Sequence, residues 1–295
     1  MFTDSIEIAS KFTRPIHTIS RLYGDKEVVP RAATLFFVND EGWALTCKHV
    51  VQLIAASDQV NKTYSQFKVE LEKIKDSEDF NTKKLELEQK YNYNDRTTIQ
   101  IKNTFVDCVD KLTGFKIHEH PKYDLALMKF EGFSQLACNE FPIFQKDTSY
   151  LKQGRFLCRL GYPFPEFTNF KYNEDKDDIE WTKEGNQGSP KFPIEGMITR
   201  FLIDSGKQMG IELSRPGLRG QSGGPLFNEH GIVQGMQFST KHLHLGFDIE
   251  NKEISVKGQK KEVSDYSFIH LGQCIHVSTL KEFMKEKGVN FKEEE

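Results

Sequence analysis

The run Gly217-Leu-Arg-Gly-Gln-Ser222-Gly-Gly-Pro-Leu-Phe227 sets one serine among four glycines and a proline. A serine hydroxyl is a poor nucleophile near neutral pH and needs an adjacent base to take its proton as it attacks. The glycines serve another end. Without Cβ, the backbone N–H groups can turn inward and come close to a developing negative oxygen. The run therefore suits a nucleophile loop, and it predicts a basic and an acidic partner elsewhere in the chain. Downstream lie Leu226-Phe227, a turn at Asn228-Glu-His-Gly231 and the apolar run Ile232-Val-Gln-Gly-Met-Gln-Phe238. Glycines and a proline before a turn signal and a new apolar run read as a hairpin, not a helix.

Both partners have candidates upstream. Ala32-Ala-Thr-Leu-Phe-Phe-Val38, the turn Asn39-Asp-Glu-Gly42 and Trp43-Ala-Leu-Thr46 form a hairpin pattern that leads into Cys47-Lys-His49-Val-Val51. Asp124 opens the apolar strand pattern Leu125-Ala-Leu-Met128. A carboxylate drawn inward there is costly unless a donor receives it, and an imidazole N–H is such a donor.

Gly220-Gln-Ser222-Gly-Gly-Pro225, Thr46-Cys-Lys-His49 and Asp124-Leu-Ala-Leu127 together resemble the three site segments of trypsin-like (chymotrypsin-fold) serine proteases. Val50-Val51 and Gly161-Tyr-Pro163 resemble the bacterial HtrA-like branch. The order His49, Asp124, Ser222 fits this family and differs from the subtilisin and α/β-hydrolase orders. Gly220-x-Ser222-x-Gly224 also matches the α/β-hydrolase elbow, with Asp248, Asp265, His270 and His276 downstream, but that elbow runs from strand straight into helix. The resemblance implies an all-β fold of two six-stranded Greek-key barrels, with backbone N–H groups of Gly220 and Ser222 as the oxyanion hole. It places a specificity pocket at Pro216 and Gly217, walled by Phe238, Ser239 and Thr240. No acid stands there, so an arginine or lysine preference is not expected, and an apolar residue of modest size is. Gln221 replaces the acid that pairs with a freshly cut N-terminus in secreted digestive relatives, and Lys48 replaces a small residue.

The organisation expected is an arm and first strand over 1–30, a first barrel over 31–150, a second over 151–275, and a C-terminal helix and tail over 276–295. Ser278 is the expected cap of that helix, and Glu293-Glu-Glu295 the disordered end. Residues 57–96 depart from the family. Val60, Tyr64, Phe67, Leu71 and Ile74 recur at spacings of four and three, so a helical insertion is expected. It either packs on the barrel or docks a regulatory partner.

The remaining properties exclude other classes. Net charge is −3, with 40 Lys and Arg against 43 Asp and Glu and no basic block, so nucleic acid is not an expected partner. No apolar run approaches the ~18 residues of a membrane span, and the N-terminus lacks the layout of a signal peptide. Cys47, Cys108, Cys138, Cys158 and Cys274 are scattered and form no C-x-x-C pair, which points to a reducing cytoplasm. His118 with His120, and His242 with His244, lack further ligands, so neither a metal nor a cofactor is expected. The chain thus reads as a cytoplasmic serine endopeptidase acting on polypeptides. A catalytically silent scaffold and an esterase on the same fold are the alternatives.

Overall fold

Phe2, Ile6, Ala9 and Phe12 recur at helical spacing, and the chain opens on a helix, α1 (Thr3–Phe12), with Ala9 and Phe12 buried. The computed structural model describes residues 1–255 and 258–295 and the backbone of Val256. The arm expected at the start is thus a packed helix followed by strand β1 (Thr13–Leu22). β2 (Val29–Phe37) and β3 (Trp43–Thr46) form the hairpin, turned by Gly42 at φ +85° and by the Asn39 side chain, whose Oδ1 accepts from Glu41 N–H and Trp43 N–H.

The next element corrects the sequence reading. The family resemblance implies a single helical turn after His49, with the helical insertion a separate element over 57–96. Instead one helix, α2 (Lys48–Ile74), runs 27 residues without a break, about 40 Å at 1.5 Å per residue. Nothing stops it: residues 48–74 contain neither glycine nor proline. α3 (Phe80–Tyr91) folds back, and Asn92 ends it in the left-handed conformation at φ 55°. The apolar stripe of this hairpin is spent on the body. Tyr64, Phe67, Leu87 and Ile99 form a buried cluster with Tyr23, Tyr91 and Tyr93 against it.

β4 (Thr98–Phe105), β5 (Gly114–Glu119) and β6 (Ala126–Glu131) complete a six-stranded antiparallel sheet in the order β4-β1-β2-β3-β6-β5. Its open edge at β4 is covered by α2, whose Asn61 amide exchanges two hydrogen bonds with the Ile101 backbone, at 2.7 and 2.9 Å. An edge strand left bare would invite pairing with another chain.

The second half adds β7 (Ile143–Phe144), β8 (Phe156–Gly161), the hairpin β9 (Phe170–Asn173) and β10 (Asp178–Trp181), β11 (Phe192–Asp204) and β12 (Lys207–Leu213). β13 (Pro225–Phe227), β14 (Val233–Val256), β15 (Gln259–His276), α4 (Val277–Glu286) and β16 (Lys292–Glu293) follow. Eight of these strands form one sheet, and the β13–β14 pairing closes six of them on themselves. The fold is mostly β with four helices among the described residues, rather than all-β. The first sheet stays open between β4 and β5. β14 and β15 also run far past the expected wall at 240, as a ribbon whose Phe247, Tyr266 and Phe268 are exposed.

Two further corrections concern the end of the chain. The cap of α4 is the imidazole of His276, which accepts from Ser278 N–H at 3.2 Å, not the Ser278 side chain. Lys292–Glu293 is no loose tail: it pairs in parallel with β7, and Glu293 receives Lys281 Nζ at 2.7 Å. One main core draws Phe36, Leu45, Leu127 and Phe130 from the first half together with Phe227, Met236 and Phe283 from the second.

His17 and His276 are buried, and burial pulls each imidazole down from 6.5 to about 4. His17 stacks on Phe167 with ring centroids 4.0 Å apart. Neutral in the folded chain, both rings take a proton on unfolding once pH falls below 6.5. Their contribution is therefore complete above pH 6.5 and is lost as pH falls toward 4. The loss reaches at most about 3 kcal/mol per ring at 1.36 kcal/mol per unit. Urea unfolding from pH 7 to 4.5 should show falling stability, with a shallower slope in His276→Asn, which retains a capping oxygen. A pH-independent midpoint over that window would contradict the assignment.

Candidate active site

The β3–β6 register places the first two residues. Thr46 pairs with Ala126, so the chain leaves β3 for His49 at the sheet end where it enters β6 from Asp124. His49 Nδ1 lies 2.7 Å from Asp124 Oδ2, and His49 N–H donates to Asp124 Oδ1 at 3.0 Å. A carboxylate only accepts, so Nδ1 carries a proton, and the neutral ring has its lone pair on Nε2. The same carboxylate satisfies an orphan amide at the start of α2, a place where negative charge is favoured. Burial alone would raise the Asp124 carboxyl. The bonds from the His49 ring and from the His49 and Lys48 amides outweigh that and hold it below its ordinary value. His120 steadies the loop before Asp124, accepting at Nδ1 from the Lys122 and Tyr123 amides.

The serine loop is fixed from the other half. Thr34 of β2 donates its N–H to Ser222 O at 3.0 Å and its hydroxyl to Gly220 O at 2.7 Å, and that hydroxyl accepts from Tyr162 N–H. Thr46 Oγ1 donates in turn to Thr34 O. At Gly223, with φ +88°, a Cβ would meet Thr34 O at 2.1 Å, so no larger residue lets the loop seat on β2 and β3. Gln221 is fully buried. Its amide donates to Phe192 O and its carbonyl accepts from Leu218 N–H, so the loop is braced by an amide, and a carboxylate could not make the first bond.

The backbone donors of the loop divide cleanly. The N–H groups of Gln221, Gly223 and Gly224 go to Leu218, Gln237 and Gln221 carbonyls. Those of Gly220 and Ser222 have no hydrogen-bond partner among the described residues. His49 and Ser222 line two cavities together. One, of about 440 Å³, also touches Arg31, Ala33 and Leu53. The other, of about 560 Å³, is walled by Pro216, Gly217, Phe238, Ser239 and Thr240. Among the described residues no hydrogen bond joins Ser222 Oγ to His49.

A model described as a trypsin-like peptidase domain matches residues 33–236. The chain belongs to that family. Among solved structures, an HtrA-type protease with a tripeptide is similar, with 12% identity and a TM-score of 0.47 over 97% of this chain. The match spans 63% of the length of that structure. No curated protein matches.

In this trypsin-like peptidase domain a Cys47 sulfur, a His49 nitrogen and an Asp124 oxygen lie within 4.8 Å, close enough to hold a metal by distance alone. The chemistry opposes it. Burial and the charge of Asp124 push the Cys47 thiol well up, and its hydrogen goes to Gln237 O at 3.3 Å. The histidine pairs take other partners: His244 bonds Asp248, and His242 bonds His270 rather than His244.

Sequence reasoning missed Thr34 and Arg159, and read Thr46 only as part of the segment around His49. Thr34 was legible in principle, as a hydroxyl on the buried side of an apolar strand. Arg159, fully buried in β8, offered no such signal. It donates to Gln237 Oε1, Arg215 O and Pro216 O, each at 2.8 Å, and so ties down the segment before the serine loop.

Thr34→Val keeps the shape but strands Gly220 O and the Tyr162 amide, costing about 1–3 kcal/mol. With the Gly220 peptide loosened, reaction of Ser222 with a fluorophosphonate should slow by about 10- to 100-fold. Thr34→Ser should restore most of it; an unchanged rate in Thr34→Val would remove Thr34 from the site.

Proposed function

We propose that the chain is a serine endopeptidase working through His49, Asp124 and Ser222, at the seam between the open first sheet and the closed second one. One observation carries this reading: an imidazole oriented by a carboxylate shares a cavity wall with a serine whose loop leaves two amides uncommitted. Ser222 Oγ attacks the peptide carbonyl carbon while His49 Nε2 takes the hydroxyl proton. The tetrahedral oxygen receives the Gly220 and Ser222 N–H groups, whose donation strengthens as its charge grows. Collapse breaks the C–N bond, and the imidazolium gives its proton to the leaving amine. Water then gives a proton to Nε2 as its oxygen attacks the ester. The second collapse returns that proton to Ser222 Oγ and frees the acid, so no cofactor enters the balance. Asp124 keeps the proton on Nδ1 and stabilises the imidazolium.

The compartment belongs to this proposal too. Five buried cysteines without a disulfide support a reducing cytoplasm, and no helix among the described residues is long and apolar enough to cross a membrane. A regulatory partner gripping the α2–α3 hairpin would reach His49 through one continuous helix.

A silent scaffold is favoured by one observation, the absent Ser222–His49 hydrogen bond. Such bonds often form only when substrate closes the site. Ser222→Ala or His49→Ala should lower kcat by on the order of 10⁶, and Asp124→Asn by about 10⁴. A fluorophosphonate should label the wild type and not Ser222→Ala. A folded chain that neither labels nor cleaves peptides is a scaffold.

A further inference from the structure

Charge around the cleft is one-sided. The chain carries 43 acids against 40 lysines and arginines, yet no acid lines either cavity that meets at Ser222. Arg219 lines both, and Arg31 lines the smaller one. Both are exposed, and neither guanidinium has an ion-pair or hydrogen-bond partner among the described residues. The larger cavity adds His242 and His270, whose Nδ1 atoms lie 2.5 Å apart. In that bond one ring donates and the other accepts. The accepting ring therefore carries its own proton on Nε2, and the pair retains an N–H donor. The hydroxyls of Ser239 and Thr240 share the same wall, though Thr240 Oγ1 already donates to Gly217 O.

Behind that wall sits Arg159. It is fully buried, and all its hydrogen-bond acceptors are neutral: the Gln237 side chain and the Arg215 and Pro216 carbonyls. No salt bridge reaches it among the described residues. Pro216 and Gln237 are themselves part of the cavity wall. A guanidinium stays charged in proteins. A buried charge without a counterion is costly and is poorly screened, so its field extends into the adjoining space. An anion there would offset part of that cost.

We infer that the larger cavity receives an acidic side chain, and that the peptidase cleaves after glutamate or aspartate. This rests on the protease reading above and replaces the apolar preference expected from the sequence. Ser222 lies on the walls of both cavities, and the larger is the one walled by the specificity-pocket residues expected from the sequence, Pro216, Gly217, Phe238, Ser239 and Thr240, so the side chain beside the attacked carbonyl enters it. Its carboxylate meets Arg219 and the His242–His270 pair, in the field of Arg159.

The test uses the full chain and matched fluorogenic peptides with Glu, Gln, Leu or Lys before the cleaved bond. The expected kcat/KM favours Glu over Gln by about 10-fold or more, as charge-assisted bonds exceed neutral ones. Arg219→Glu should abolish that ratio and raise turnover of the Lys peptide, and the double variant His242→Gln, His270→Gln should reduce it. Gln or Leu peptides cleaved as fast as Glu, by a chain whose Ser222 takes the fluorophosphonate, would overturn the inference and leave the protease intact. Arg31→Glu removing the ratio as fully as Arg219→Glu would also overturn it, since the preference would then be a field of the whole cleft. If Ser222 does not label, fluorescence anisotropy on Ser222→Ala decides independently of turnover. Tighter binding of the Glu than of the Lys peptide, lost in Arg219→Glu, supports the cavity; equal binding rejects it.

Discussion

The Asp124 carboxylate holds together groups that the chain separates by 75 residues. It is partly removed from water, so it must be satisfied by donors, and it takes the His49 ring and the His49 amide at 2.7 and 3.0 Å. One of these bonds sets the tautomer of the base. The other caps the helix on which that base is carried. The imidazole direction and the start of α2 are therefore a single structural decision, made by the β3–β6 register. A one-residue slip of the β3–β6 register would turn β6 over and carry Asp124, in the bend just before it, away from both bonds.

A second constraint joins the halves at Thr34. The serine loop donates nothing to β2; it accepts, through Gly220 O and Ser222 O, and so its peptide planes are turned with carbonyls toward the first sheet. The Gln221, Gly223 and Gly224 amides close the loop on itself and on β14. The Gly220 and Ser222 amides are the ones these turns leave over. Gln221 completes the brace from within the second half, because an amide both donates and accepts where a carboxylate would only accept. This loop needs no ion pair with a chain terminus to hold its shape.

The segments carrying His49, Asp124 and Ser222 were legible because local backbone needs dictate their residues. Gly223 must lack Cβ to lie on Thr34 O, and Gly42 must turn the β2–β3 hairpin, and such demands survive in a sequence as motifs. The two-half β plan came from the family resemblance, and which half closes was not legible, since pairing between distant strands leaves no local mark. The extent of α2 was misread because a family turn was expected at His49, although residues 48–74 hold nothing to end a helix. The ribbon beyond Thr240 was missed because its outward residues include Phe247 and Tyr266, which blur the alternation of a half-buried strand. Arg159 was beyond reach. A basic residue inside Phe156-Leu-Cys-Arg-Leu reads as an outward one, and only the closed sheet shows that it points into the barrel.

That arginine also bears on why the second half looks as it does. Apolar packing at its position would spare the desolvation of a guanidinium, a penalty of several kcal/mol. The barrel instead organises polar groups around it: Gln237 accepts from Arg159 and donates to Ser239 O, and Gly272 has no Cβ because one would fall 1.9 Å from the guanidinium. The Arg215 and Pro216 carbonyls turn inward to meet it. A wall built this way presents donors and positive charge to whatever enters beside Ser222. The polarity of the cleft thus follows from how the barrel interior is satisfied, and Arg219 at the surface extends a field that begins inside the fold.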